Sequence, residues 1–352
     1  MFLSIQYLRA MAALLVLLSH TAWKSMQIDN TALAWWHDAG TFGVDIFFII
    51  SGFIMTYTSL KMYKKPHAIQ TFLKKRLIRI IPLYWFLTMI ALCGFLLFPQ
   101  IVNSSGGETA VLKSFFLLPL KANENYLVSV GWTLQFEFIF YFIFSLGLLF
   151  SVFRGSMLVV SLLILSFAVS IFFSEEITNP LVYAFVNNLF FEFALGMFLY
   201  YITQNGKKIH SFYLLFSIVL SLLWFYLTFS GYALSEIRAI DSGIPAFLLA
   251  FGLVSLEPFL KKRASSLLIR LGDSSYALYL SHPFSLVFVF MFYRKLENIL
   301  PQNEFLLNLS MIIISLLIGY VVHIWIEKRL MLWIKSLILR RNKKNLSKLI
   351  LN

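Results

Sequence analysis

Three stretches of this chain, "FGVDIFFIISGFIM", "IIPLYWFLTMIALCGFLLF" and "FLLNLSMIIISLLIGYVVHIWI", reach or approach the length that crosses a bilayer, with almost no charge inside them. A backbone in hydrocarbon has no water to satisfy its N–H and C=O groups, so runs of this kind must become helices or close into a barrel. The ten-residue alternating strands that a barrel needs are absent. Composition agrees: 60% of the residues are hydrophobic, 13% are charged and the mean hydropathy is +0.81, whereas soluble domains carry nearer a quarter charged residues. The fold class expected is an all-α polytopic membrane protein.

The hydropathy pattern predicts about ten spans, near 5–23, 40–60, 78–98, 130–152, 156–174, 181–203, 211–230, 240–257, 274–293 and 304–326. The longest connection, 99–129, holds the apolar piece "VLKSFFLLPL", which is too short to span and reads as interfacial or re-entrant. The formal net charge of +13 would suggest nucleic acid in a soluble protein. Here 22 of the 29 Lys and Arg residues lie in the connections after even-numbered spans and in the tail after the tenth, and 6 in the others. That alternation is the signature of cytoplasmic loops, so both termini are expected in the cytoplasm and no nucleic-acid partner is expected. The domain reading is a transmembrane domain over 1–330 and a basic cytoplasmic tail over 331–352. No cleaved leader is expected, because no basic region precedes the first apolar run and Arg9 interrupts it. The single cysteine, Cys93, reads as a packing residue.

Several polar residues are not explained by membrane physics. In "LRAMAALLVLLSH", Arg9 and His20 are eleven positions apart, which is about 1100° of helical rotation, only ~20° past three turns. They share one face of one helix, about 16 Å apart along its axis. Interfacial anchoring would account for either residue taken singly, but less readily for both on one side. Asp45 stands in "FGVDIFFIISGF" ahead of Ser51 and Gly52, and Glu137 in "VGWTLQFEFIFYF" between Trp132 and Tyr141. A carboxylate inside a span needs a cation, a wet cavity or a function. "KKRLIRIIPLYW" sets Arg76 and Arg79 on one helix face at the cytoplasmic mouth of the third span, a multi-donor clamp suited to phosphate or a plain positive-inside cluster. Asp273, in "LGDSSYALYLSHPF", fits the amino-terminal cap of the ninth span. His282 lies deeper, as a core histidine or a pore-lining one. Glu327, at the end of the last span, reads as interfacial. No metal-ligand cluster is seen, and no resident cofactor is expected.

Taken in order, "IQYLRAMAALLVLLSH", "FGVDIFFIISGF", "RLIR", "GWTLQFEFIFY" and "LGDSSYALYLSHPF" resemble the membrane-bound acyltransferase 3 family, over essentially the whole chain. Gln6 and Ala10 look like its bacterial exopolysaccharide and O-antigen O-acetyltransferase branch. Where relatives often carry proline after the final glutamate and basic residue, this chain has Arg329. The resemblance implies a multi-pass enzyme of the bacterial inner membrane. It would move an acyl group, acetyl by default, from cytoplasmic acyl-CoA to a hydroxyl of a surface polysaccharide or its lipid-linked precursor. Longer relatives carry an added hydrolase-like domain, and none is expected here. On that reading Arg9, Arg76 and Arg79 hold the nucleotide phosphates of acyl-CoA. His20 is base or acyl carrier, assisted by Asp45 and Glu137, and Ser51, Trp132, Tyr141 and His282 line the pore or acceptor site. The competing class is a transporter or flippase for a lipid-linked sugar or small substrate, in which the same buried charges would form a relay.

Overall fold

The computed structural model describes residues 2–27, 34–99, 106–173, 177–204, 211–232, 235, 237–296 and 303–338. The long helices are α1 (Leu3–Ser25), α2 (Ala34–Ser59), α3 (Ala68–Leu97), α4 (Gly131–Gly147), α5 (Val152–Phe173), α6 (Phe190–Gln204), α7 (Ser211–Phe229), α8 (Gly243–Ser255), α9 (Ser266–Lys295) and α10 (Glu304–Val321). Two of the expected spans are interrupted: a short helix, Pro180–Phe185, precedes α6, and Arg238–Asp241 precedes α8. Among the described residues nine helices are long and apolar enough to cross a membrane. The remaining one, α4, has 17 residues, about 26 Å, slightly less than the hydrocarbon thickness. The last helix passes through a π turn at Val322–Glu327 and continues to residue 338. The expected tail at 331–352 therefore begins inside that helix, and its residues 339–352 lie outside the described residues.

The two amino-terminal helices form the centre. α1 lies along both α2 and α9, and α9 along α10; α2 also contacts α6 and α8, with α5 outside α6 and α7 outside α8. Close approach at glycine fixes these crossings, as membrane helices require when apolar burial gives no preference over lipid. A Cβ on Gly52 of α2 would fall 2.2 Å from the Phe193 carbonyl oxygen and 3.0 Å from the Gly196 Cα on α6. On α9, a Cβ at Gly272 would fall 2.3 Å from the Gln6 carbonyl oxygen of α1. The second crossing sets the register between the two helices that carry Arg9, His20 and His282.

The connection between α3 and α4 folds back into the bundle. Glu108 and Thr109 pair with Glu124 and Asn125, and a short helix spans Val111–Phe116. The Tyr84 hydroxyl donates to the Ser114 carbonyl (2.6 Å) and the Trp85 indole to the Phe115 carbonyl (2.8 Å). Trp85 lies twelve residues before the end of α3, about 18 Å along the axis. The segment is re-entrant, and its carbonyls find the partners that lipid would deny them.

Three sequence expectations change. α9 starts at Ser266, with the Ser265 side chain as its cap (3.4 Å to the Leu268 amide). Asp273 is thus two turns inside the helix, and does not cap it. Glu327 is 3% exposed and accepts a 2.7 Å bond from His323, so it is buried and paired where an interfacial position was expected. Cys93 is exposed on the outside of the bundle. α3 simply runs further towards its amino terminus than the apolar run shows, because lysine and arginine are good helix formers.

Candidate active site

Two cavities open along α1, and Arg9 and His20 line different ones. The first, about 410 Å³, is walled by α1, α2, α3, α4 and α9, and contains Arg9, Arg76, Arg79, Glu137, Tyr141 and Asp273. Three cations against two carboxylates leave it net positive. Its acids are partly engaged. Glu137 Oε1 accepts from Ser51 Oγ (3.0 Å) and from the Tyr141 hydroxyl. The Arg76 guanidinium lies over Phe72 (5.5 Å) and Tyr141 (6.0 Å) and donates to Thr58 Oγ1 at 3.3 Å. Arg79 stands 4.0 Å from Glu327, with 42% of its side chain exposed. The i, i+3 spacing of Arg76 and Arg79 on α3 thus aims both guanidinia at one volume while leaving Arg79 free to meet a ligand from water.

The second cavity, about 550 Å³, is lined by His20, Lys24 and Trp23 of α1, His37 of α2, residues 125–129 of the re-entrant connection, and Pro283, Phe284 and Phe288 of α9 among others. His20 Nδ1 faces the Val16 carbonyl at 2.9 Å. A carbonyl only accepts, so that contact assigns the hydrogen to Nδ1 and leaves the lone pair on Nε2. His282 stands edge-on to His20, with ring centroids 4.8 Å apart. Its Nδ1 faces the Leu278 carbonyl (3.2 Å), and its Nε2 is buried without a partner. Tyr279 links the first cavity to the histidine pair. It lines the first, stacks edge-on to Phe47 at 5.8 Å and to His282 at 5.9 Å, and shares a 2.8 Å hydrogen bond with Thr133.

The other sequence candidates fall elsewhere. Ser51 and Tyr141 line the first cavity through their bonds to Glu137, and Glu137 is on the side of the arginines, not with His20. Trp132 lines neither cavity and packs edge-on against Phe136 at 6.1 Å. Asp45 also lines neither: wholly buried, it pairs with Arg238, Nε to Oδ1 at 3.1 Å and Nη2 to Oδ2 at 3.3 Å. Glu192 is buried close by, against Gly243, with both oxygens unpartnered. Sequence reading missed Arg238 and Glu192. Arg238 counted as an outer-loop cation, but Glu192, in "FFEFALG", carried the same signal as Asp45, an acid within an apolar run. Glu327, Lys24 and His37 were missed as lining or supporting residues because each lies near a helix end, where charge is ordinary.

Comparison with known proteins is consistent in direction. The family model for acyltransferase 3, described as an acyltransferase domain, matches residues 2–324. The chain is 32% identical over 261 residues to the exopolysaccharide production protein ExoZ of Rhizobium meliloti, covering 70% of this chain and 77% of that one. It is 29% identical over 161 residues to the peptidoglycan O-acetyltransferase OatA of Listeria monocytogenes, covering 42% of this chain and 24% of that longer protein. No solved structure matches the chain.

Proposed function

The chain belongs to the acyltransferase 3 family, and from that premise we propose that it O-acylates a cell-surface polysaccharide or its lipid-linked precursor, with cytoplasmic acyl-CoA as donor. It is a multi-pass membrane acyltransferase, which sets the transporter reading aside. The names of the two relatives, one for exopolysaccharide production and one for O-acetylation of peptidoglycan, support a polysaccharide acceptor and acetyl as the group transferred. The proposed topology has ten spans in the bacterial inner membrane, with α4 as the short one and both termini in the cytoplasm. It rests on the alternation of basic residues between connections.

One observation carries the mechanism: a single helix places Arg9 in a cationic cavity and His20 in a separate, mostly apolar one. In this reading the first cavity takes the donor. Arg76 and Arg79 hold the phosphates through charge-assisted bonds, with Arg9 deeper. Glu327 and Glu137 keep the clamp from being an unbalanced charge in the membrane. The pantetheine arm runs along α1 past Tyr279 and brings the thioester to His20. There the acceptor hydroxyl gives its proton to His20 Nε2 as its oxygen attacks the thioester carbonyl carbon. The C–S bond breaks, and the departing CoA thiolate takes the proton back from the imidazolium. Histidine suits both halves because its ordinary pKa of about 6.5 leaves it neutral before the step and acidic after it. An acyl-histidine intermediate would use the same nitrogen as nucleophile. Asp45 is assigned a structural part in this scheme, as the partner of Arg238.

The test is mass spectrometry of surface glycans from a deletion strain, its complemented parent and a strain carrying His20→Gln, with ¹⁴C-acetyl transfer by the purified protein alongside. Acyl groups restored by the parent gene alone support the reading. Glycans identical in all three strains overturn it.

A further inference from the structure

The cavity that holds His20 is one-sided in charge. Lys24, His20 and His37 line it, and among the described residues no Asp or Glu does. Lys24 forms no ion pair among the described residues. Its ammonium donates to Gln27 Oε1 at 3.3 Å and lies 5.1 Å from the Trp23 ring centroid and 5.3 Å from that of Phe290. A lysine near a helix end usually extends its head into water, whereas this one is held over two ring faces. The described acids on the neighbouring segments do not neutralise it. Glu124, adjacent to the lining residue Asn125, is paired with Lys113 at 2.5 Å, and Asp38, adjacent to His37, is exposed and does not line the cavity. A partly desolvated ammonium without a carboxylate is unmatched unless the ligand supplies the anion.

Resting on the acyl-transfer reading above, we propose that the acceptor is anionic, with a carboxylate or phosphate oxygen that binds Lys24 while the hydroxyl to be acylated meets His20. The two residues are four apart on α1, so they share a face about 6 Å apart along the axis. The anionic group therefore belongs to the reacting sugar or to its immediate neighbour. Trp23, Tyr126 and Phe284 also line the cavity, aromatic side chains of the kind that pack against the apolar side of a sugar. Two sources fit this spacing: a carboxylate on the sugar itself, or the diphosphate that joins a first sugar to a lipid carrier.

Three probes separate them with the full-length protein and labelled acetyl-CoA: a disaccharide containing glucuronic acid, its carboxyl-reduced neutral counterpart, and a neutral sugar on a short prenyl diphosphate. At least one anionic probe should exceed the neutral one about tenfold in kcat/KM, the size of one charge-assisted contact. Lys24→Gln should remove that preference mainly through KM, and Lys24→Arg should keep it. The anionic probe that shows the Lys24-dependent preference identifies the source. Equal turnover of all three by the parent protein, or a preference that survives Lys24→Gln, overturns the proposal. Absence of transfer to every probe counts against the acyl-transfer reading. The charge proposal is then decided by equilibrium binding of all three probes, where equal affinity overturns it and tighter, Lys24-dependent binding of either anionic one upholds it.

Discussion

The two cavities along α1 are built differently. The one with the arginines is walled by helices throughout, and its charged residues come from α1, α3, α4 and α9. The one with His20 takes residues 125–129 from a re-entrant connection as part of its wall, and among the described residues its lining apart from Lys24 and the histidines is uncharged and mostly apolar. Helices held at glycine crossings give a rigid frame, suited to a donor that does not vary. Connections tolerate change, and are where recognition of differing ligands is usually placed. The difference teaches that one helix can face walls of unlike construction at its two ends, and on the proposed reading these serve a common donor and a particular acceptor.

The sharpest way to break this comparison is to damage one end of α1 and measure the other. His20→Gln keeps the size of the side chain and a hydrogen-bonding amide, but has no nitrogen that can take a proton at neutral pH. Acyl transfer should fall by at least about 10²–10⁴-fold, the range for loss of a general base. Acyl-CoA affinity, measured by calorimetry on the purified protein, should change little, because the proposed phosphate contacts line the other cavity. A variant that transfers at near-parental rate would remove His20 from the chemistry and shift attention to His282, whose unpartnered Nε2 stands beside it. A variant that also loses acyl-CoA would mean the two cavities act as one site.

The complementary damage is at the other end. Arg76→Ala and Arg79→Ala should each weaken acyl-CoA binding by about ten- to a hundredfold, since each removes a charge-assisted contact worth ~1.5–3 kcal/mol. Arg79→Ala should be the milder, because Arg79 is 42% exposed beside Glu327 and water screens what it contributes. At saturating acyl-CoA the rate should recover most of its parental value. Unchanged affinity in the folded double variant would leave the arginines a topological role only.

These residues differ in how readable they were. Arg9, His20 and Glu137 are expensive inside a span, so their positions alone marked them, whereas Arg76 and Arg79 were marked by their i, i+3 spacing at the mouth of the third span. Helical spacing also placed Arg9 with His20 before any coordinates. The division into two cavities was not readable. It depends on how the side chains of separate helices pack in space, and apolar or aromatic residues in an apolar run carry no signal of that kind. Asp45 was rightly marked as needing a partner, but the partner, Arg238, lies 193 positions away and counts in sequence as an ordinary outer cation. Asp273 and Glu327 were misplaced for a common reason. Hydropathy shows where an apolar run ends, but not where the helix ends, and both α9 and the last helix extend by two turns or more beyond the apolar run. At α4 the mismatch runs the other way, the apolar run being longer than the 17 helical residues.

The smallest effect expected is on the part of the second cavity that is not helical. Glu124 clamps the re-entrant connection: its Oε2 accepts from Lys113 Nζ at 2.5 Å and from the Lys121 amide at 2.8 Å. The Lys113 bond, with the Lys121 amide second, holds the Glu124 carboxyl below the usual glutamate range. A depressed carboxyl pKa means the folded form binds the proton less well than the unfolded one. The contribution to stability is therefore fully present above the unfolded value of about 4.3, and is lost as pH falls through the lower folded value. Because the pair is near the surface, the effect should be local and should weaken with salt. Hydrogen exchange across residues 106–127 should rise below about pH 4, while exchange in α3 and α9 over the same range stays nearly constant. Glu124→Gln should show the raised exchange already at pH 7 and respond little to further acid. If the connection exchanged equally in the parent and the Gln variant at pH 7, the clamp would be idle. The wall of the acceptor side would then be held by the Tyr84 and Trp85 contacts to the Ser114 and Phe115 carbonyls, as rigidly as the helical wall of the donor side.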